Sequence, residues 1–313
     1  MLSIGLAILA FIVGVIFLYK CSDILVDGTS KTAVHLGISS LIISVIVVAF
    51  GTSAPEFAIS VGAAFQSHAD ISMGNIIGSC VANLLLVLGI SAIIRPIKVK
   101  KTIIKREMPI IIVATIVLLL SSFFGLLDTH HLIGGAIFLV LFAVFVVYFI
   151  QCAKKERSND VEKYGSGKTI KNLIFIILGI TGVVVGAWLL IESALSIADF
   201  FGIPEMIIAL SMVAVGTSLP ELVVSAMAAY KHESDIAVGN VIGSNVFNIF
   251  LILGASALLI PLNAVNSIGN LLILMVVTLV MFPVLYTGHV ISRKEGAFLL
   301  ILYLFFICYI FLA

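Results

Sequence analysis

The sequence predicts an all-α polytopic membrane protein whose ten transmembrane helices form two inverted five-helix repeats. Three observations carry this: an extreme apolar bias, membrane-length apolar stretches along the whole chain, and a long segment that occurs twice. Of the 313 residues, 62% are hydrophobic and 11% charged, with a mean hydropathy of +1.29. Soluble domains are near half apolar and about a quarter charged, so a water-soluble enzyme is excluded. Seventeen Lys and Arg balance sixteen Asp and Glu, which argues against nucleic acid or another polyanion as a partner. Cys21, Cys80, Cys152 and Cys308 have no paired spacing and read as unlinked thiols in apolar surroundings.

At about 20 apolar residues per span, helices are expected at 3–19, 39–66, 72–94, 108–125, 132–152, 170–192, 204–230, 236–260, 267–286 and 296–312. Met1-Leu2-Ser3 puts no cationic region before the first apolar run, which therefore reads as a span and not as a cleaved signal. Segments 39–66 and 204–230 exceed the bilayer requirement and hold internal Gly and Pro, so they are expected to be tilted or interrupted. Every Lys and Arg falls in alternate connections. Lys20 and Lys31 follow the first span, Arg95 to Arg106 lie between the third and fourth, and Lys154 to Lys171 between the fifth and sixth. Lys231 follows the seventh, and Arg293 with Lys294 precede the tenth. The other side carries Asp70, Asp128, His130, His131, Asp199 and Glu205 and no Lys or Arg. The basic loops are expected to be cytoplasmic, with both termini extracellular in a multi-pass protein of the cell membrane.

Residues 49–94 align without a gap to 214–259 at a constant offset of 165, with 23 of 46 positions identical. The first copy reads Ala-Phe-Gly-Thr-Ser-Ala-Pro-Glu (Ala49 to Glu56), then Gly-Asn-Ile-Ile-Gly-Ser-Cys-Val-Ala-Asn (Gly74 to Asn83). The second reads Ala-Val-Gly-Thr-Ser-Leu-Pro-Glu (Ala214 to Glu221), then Gly-Asn-Val-Ile-Gly-Ser-Asn-Val-Phe-Asn (Gly239 to Asn248). Five helices per half means that the second copy enters the membrane from the opposite side, an arrangement typical of secondary transporters. The organisation is thus 1–152 for the first repeat, 153–169 for a basic cytosolic linker, and 170–313 for the second repeat.

Glu56 and Glu221 are the only acidic residues deep inside these spans, and the repeat makes them equivalent. A carboxylate at mid-membrane is costly and marks an ion or proton path. Ala49, Thr52, Ser53 and Glu56 share one helical face by spacing, and Ala214, Thr217, Ser218 and Glu221 repeat the pattern. Pro55 and Pro220 remove backbone donors and free carbonyls, while Gly51 and Gly216 permit a bend toward an ion. Ser79 with Asn83, and Ser244 with Asn248, add hydroxyl and amide oxygens at i and i+4. Oxygen-rich sites of this kind suit hard cations such as calcium, and zinc or copper is disfavoured. Two carboxylates neutralise one calcium ion, and the same oxygens suit sodium ions. Competition between the two loads yields antiport, because an unloaded pair of buried anions is too unfavourable to cross.

These paired motifs resemble the α-repeats of the calcium/cation antiporter superfamily, specifically its sodium/calcium exchanger branch of prokaryotic and archaeal type. The resemblance implies electrogenic sodium/calcium exchange by alternating access, with calcium, sodium and the lipid bilayer as partners and no cofactor. It implies a central diamond of Glu56, Asn83, Glu221 and Asn248. Calcium coordination would fall to Glu56, Glu221 and the backbone around Thr52 and Thr217. Sodium coordination would fall to Ala49, Ser53 and Ser79, and to Ala214, Thr217, Ser218 and Ser244. Some relatives carry Asp where this chain has Asn248, so Asn at both Asn83 and Asn248 brings the pattern closer to potassium-independent exchangers. A proton/calcium or potassium-dependent antiporter is the alternative, and a monomer is compatible with the sequence.

Other features carry less. Gly165-Ser166-Gly167-Lys168-Thr169 has the look of a phosphate-binding loop but lacks the upstream glycine and strand, and reads as part of the linker. His130 and His131 read as a solvated turn. Lys98 to Arg106 reads as a topology anchor or a contact for anionic lipid. An intramembrane enzyme using Glu56 and Glu221 as acid and base would need a nucleophile or metal that the repeats do not supply.

Overall fold

The computed structural model describes residues 4–156, 166–201, 216–286 and 288–312. In chain order its helices are α1 (Ile4–Leu36), α2 (Ser40–Thr52), α3 (Ala54–Phe65), α4 (Ala69–Ile94), α5 (Met108–Phe123) and α6 (His131–Glu156). They continue with α7 (Ser166–Phe200), α8 (Leu219–Tyr230), α9 (Ser234–Leu259), α10 (Ile268–Tyr286) and α11 (Arg293–Leu312). Two short strands, β1 (Ile97–Lys98) and β2 (Val290–Ile291), pair antiparallel.

Among the described residues, six helices (α1, α4, α6, α7, α9 and α10) are long and apolar enough to cross a bilayer, and α2 with α3 makes a seventh span bent by 48°. The other three expected spans fall on α5 with 16 residues, α8 with 12 and α11 with 20. The expected start of the α8 span, 204–215, lies outside the described residues.

The interruption expected in 39–66 falls at Ser53, where the backbone takes φ −80° and ψ 9°. Ser218, its counterpart, has φ −84° and ψ 8°. From there the two halves run in step: α3 and α8, and α4 and α9, begin and end 165 positions apart. They point opposite ways. The start of α4 meets Asn263 through Asp70, whereas the start of α9 meets Lys98 and Lys100 through Ser234 and Asp235.

Two expected ends need correction. Helix α1 runs to Leu36 and does not stop near residue 19, and α7 runs to Phe200 and not to 192. Hydropathy marks where lipid-facing residues stop, not where the helix stops. Beyond Tyr19, Asp27 and Lys31 form an i,i+4 pair, and Asp23 and Asp27 both pair with Lys231. The helix ends at Gly37, whose φ of 65° suits glycine. Helix α6 reaches Glu156 and α7 starts at Ser166, both inside the segment 153–169 expected as a linker; residues 157–165 lie outside the described set. Ser166 to Thr169, from the phosphate-loop lookalike, form the first turn of α7.

The charges sort by end as the sequence requires, but Lys20 and Lys31 lie within α1 and not in a connection. At one end, Arg95, Lys98, Lys100 and Arg293 bond to neighbouring loops or helix ends, and Lys231 to the Asp23 carbonyl within α1. At the other, Asp128 caps Ala264 and Val265, and His131 Nδ1 lies 2.7 Å from the Ala257 carbonyl. That contact gives His131 a structural role. Helices α4 and α9 are central, with 83% and 94% of their most apolar stretches buried, against 17% for α1 and 28% for α6 and α7. Helices α1 and α7 pack antiparallel through glycines. A side-chain carbon at Gly14 would lie 2.9 Å from the Leu190 nitrogen, so only glycine permits this approach.

Candidate cation-binding site

Glu56 and Glu221 stand in the first turns of α3 and α8, each with a proline as its second residue, Pro55 or Pro220. Proline costs no hydrogen bond there, and the positive end of a helix dipole favours a carboxylate. The break at Ser53 also ends α2 beside the site, presenting the carbonyl end of a helix, which favours cations.

Both carboxylates are 0% exposed. Ser53 and Ser244 donate to Glu221 Oε1 at 3.0 and 3.3 Å. The Ser79 and Thr217 hydroxyls lie 3.1 Å apart and face Glu56, which is within electrostatic reach of Glu221. Thr52 Oγ1 donates to Asn240 Oδ1 at 3.0 Å. Asn248 lies against Cys80, itself beside Glu56. The halves therefore serve each other: Ser53 bonds to the Glu of the other repeat and not to Glu56, with which it shares a segment. Thr52 and Ser53 thus bond across to the second repeat, to Asn240 and Glu221.

The remaining expected residues are placed as follows. Asn83 and Asn248 are fully buried at the ends of α-helical runs that pass into wider π-helical turns. Ser218 is buried at its break. The Ala49 carbonyl accepts from Thr52 Oγ1 at 3.3 Å and from the Ser53 nitrogen at 3.0 Å. Ala214 lies outside the described residues.

A chemical demand follows from what these groups lack. Among the described residues, both oxygens of Glu56, Glu221 Oε2, the Ser218 hydroxyl and all amide atoms of Asn83 and Asn248 have no hydrogen-bond partner. Each such buried polar group costs about 1–3 kcal/mol, and an uncompensated buried charge costs more. Glu107 provides the contrast. It is the third fully buried carboxylate among the described residues, at the basic end, and it has the Arg106 guanidinium at 2.5 Å. Glu56 and Glu221 have no cationic side chain among the described residues. Their surroundings fit a hard cation: carboxylate, hydroxyl, amide and carbonyl oxygens, from which calcium takes about 6–8 at 2.3–2.6 Å. Among the described residues the nearby sulfur, Cys80 Sγ, is directed at the Asn245 carbonyl at 3.9 Å. Among the described residues no cluster of three or more His, Cys, Asp or Glu exists.

Asn75 and Asn240 are the residues that sequence reasoning missed. Asn75 Nδ2 donates to the Glu56 carbonyl at 3.4 Å and to Ser60 Oγ at 2.9 Å. Asn240 Nδ2 does the same for the Glu221 carbonyl at 3.4 Å and Ser225 Oγ at 3.1 Å. Each side-chain amide thus clamps the turn that carries its Glu. Their signal was available: both follow a glycine in the duplicated motif, 165 positions apart.

The class defined by this fold and site is a multi-pass membrane protein with a buried, acidic, oxygen-lined centre. The family model described as sodium/calcium exchanger protein matches residues 6–151 and 171–312, and the chain belongs to that family, one of ion transporters and not of catalysts. The sodium/calcium exchanger MaX1 of Methanosarcina acetivorans is 31% identical over 347 residues, covering 97% of this chain and 98% of its own. The putative antiporter CaxA of Alkalimonas amylolytica is 35% identical over 305 residues, covering 94% and 95%. Among solved structures, the sodium-calcium exchanger NCX_Mj soaked without sodium and calcium superposes with a TM-score of 0.86 at 33% identity, covering 98% of this chain and 100% of that one.

Proposed function

We propose that the protein is a secondary active antiporter that exchanges sodium for calcium across the cell membrane by alternating access, with net movement of charge. One observation carries the reading: two buried glutamates, equivalent by the repeat, share a site whose unpartnered oxygens need positive charge. A calcium ion bridging Glu56 and Glu221 neutralises both, and sodium ions held by the surrounding oxygens replace it in turn. Calcium takes the two carboxylates and the backbone near Thr52 and Thr217. Sodium takes Ser53, Ser79, Thr217, Ser218 and Ser244 with the carbonyls of Ala49 and Ala214, and Asn83 and Asn248 complete the diamond. Without a load, two adjacent anions oppose passage between the two facing states, which couples the fluxes.

The architecture that suits this reading has ten spans in two inverted repeats, supported by the matched lengths and opposite directions of α4 and α9. The basic end faces the cytoplasm and both termini face outward, as the segregation of Lys and Arg favours. Asn at both diamond amide positions favours potassium independence. Uptake of calcium-45 into vesicles containing the purified protein tests the whole. An outward-directed sodium gradient drives uptake, and a membrane potential changes its rate. Uptake that follows a pH gradient and ignores sodium, or that requires potassium, refutes the reading.

A further inference from the structure

We propose that the groove between α1, α7 and α8 seats an anionic phospholipid, its acyl chain against Leu219, Leu222 and Val223 and its phosphate on Arg95 and Arg293. The groove has a volume of about 500 Å³, and its lining is apolar except at Tyr19 and Tyr230. Those two residues stand at the basic end, where tyrosines favour the headgroup level of a bilayer. Both arginines are anchored on the lining itself. Arg95 Nη1 donates to the Tyr230 carbonyl at 2.8 Å, and Arg293 Nη2 to the Ile94 carbonyl at 3.4 Å, Ile94 being another lining residue. A guanidinium has five donors, so each keeps several for a phosphate. Lys20 adds a third cation, its ammonium 5.5 Å from the centre of the Tyr19 ring. Among the described residues no carboxylate pairs with Lys20, Arg95 or Arg293, while the nearby Asp23 is taken by Lys231.

The charge is a property of this groove and not of the repeat. At an offset of 165, Lys20 corresponds to Val185, Arg95 to Ile260 and Tyr230 to Phe65, so the opposite end has no counterpart for the cations. A basic mouth over an apolar slot between helices matches a lipid with an anionic headgroup. A phospholipid there would touch the residues on either side of Glu221, bringing the bilayer's composition to the helix that carries half of the acidic pair.

Native mass spectrometry of the purified protein titrated with phosphatidylglycerol or phosphatidylcholine tests this. One phosphatidylglycerol is retained by the unaltered protein in preference to phosphatidylcholine. Arg95→Gln with Arg293→Gln weakens its retention by roughly fivefold per guanidinium removed. Ala226→Trp, which fills the groove and keeps every charge, weakens it as well. Lys101→Gln with Lys105→Gln removes two exposed cations elsewhere at this end and leaves retention unchanged. The proposal is overturned if the Lys101/Lys105 variant loses the lipid as the arginine variant does, if Ala226→Trp binds normally, or if phosphatidylcholine is held as tightly. Should the double arginine variant fail to fold, Ala226→Trp and the lipid comparison decide.

Discussion

Replacing Glu221 by Gln changes the charge of the site and little else. Ser53 and Ser244 donate to one carboxylate oxygen, Oε1, and an amide oxygen in that place accepts them equally well. The amide NH₂ then takes the position of Oε2, which has no partner among the described residues, and turns a partial positive charge toward the cation. Breaking a buried ion pair typically costs about 3–5 kcal/mol, so calcium affinity falls by roughly two to three and a half orders of magnitude. Thermal unfolding of the purified protein reads this directly. At calcium one hundred times its dissociation constant, the unaltered protein gains about 2.7 kcal/mol. At the same concentration Glu221→Gln gains at most about 0.4 kcal/mol. Without calcium the variant is at least as stable as the parent, because a neutral amide is cheaper to bury than a carboxylate. An equal calcium-induced gain in both proteins would refute the assignment, and a lower stability without calcium would refute the claim that the carboxylate is unsatisfied.

Further outcomes are expected from the same geometry. Asn248→Asp adds a titratable group beside Cys80, which itself lies within electrostatic reach of Glu56, so the exchange rate gains a pH transition or a new cation dependence absent from the parent, and an unchanged profile counts against its central placement. Asn240→Ala strips partners from the Glu221 carbonyl, Ser225 and Thr52, whereas Asn75→Ala strips them from the Glu56 carbonyl and Ser60. Denaturation therefore shows a greater loss for Asn240→Ala, by about 0.5–1.5 kcal/mol for the additional hydrogen bond, because the Thr52 hydroxyl keeps the Ala49 carbonyl as an acceptor. At the basic end, burial raises the Glu107 carboxyl above the ordinary range while Arg106 pulls it down. A carboxyl raised in the fold stabilises the fold where it is protonated, and that contribution fades as pH climbs from the unfolded value through the folded one. Arg106→Gln removes the downward pull, so the variant is less stable at neutral pH by about 3 kcal/mol, and the deficit closes on acidification; a deficit independent of pH would contradict the pairing.

The paired acids were legible in the sequence because membrane cost singles out Glu56 and Glu221 and duplication makes them a pair. Gly51 and Pro55 likewise announced an interrupted span. That the break would fall at Ser53, and send its hydroxyl to Glu221, was not legible, since the partner is 168 positions away and only the crossing of the halves brings them together. The ends of α1 escaped for a different reason: its last turns are held by ion pairs involving Asp23, Asp27, Lys31 and Lys231, which hydropathy does not register. Asn75 and Asn240 were visible as motif letters, but their clamping of the Glu turns depends on backbone carbonyls, which carry no sequence signal.

The most direct measurement is a long-wavelength anomalous map from crystals grown with calcium and then exchanged into sodium. A single calcium peak touching oxygens of both Glu56 and Glu221, and lost in sodium, is the predicted result. A peak bound to one glutamate alone, or one that persists in sodium, would contradict the account.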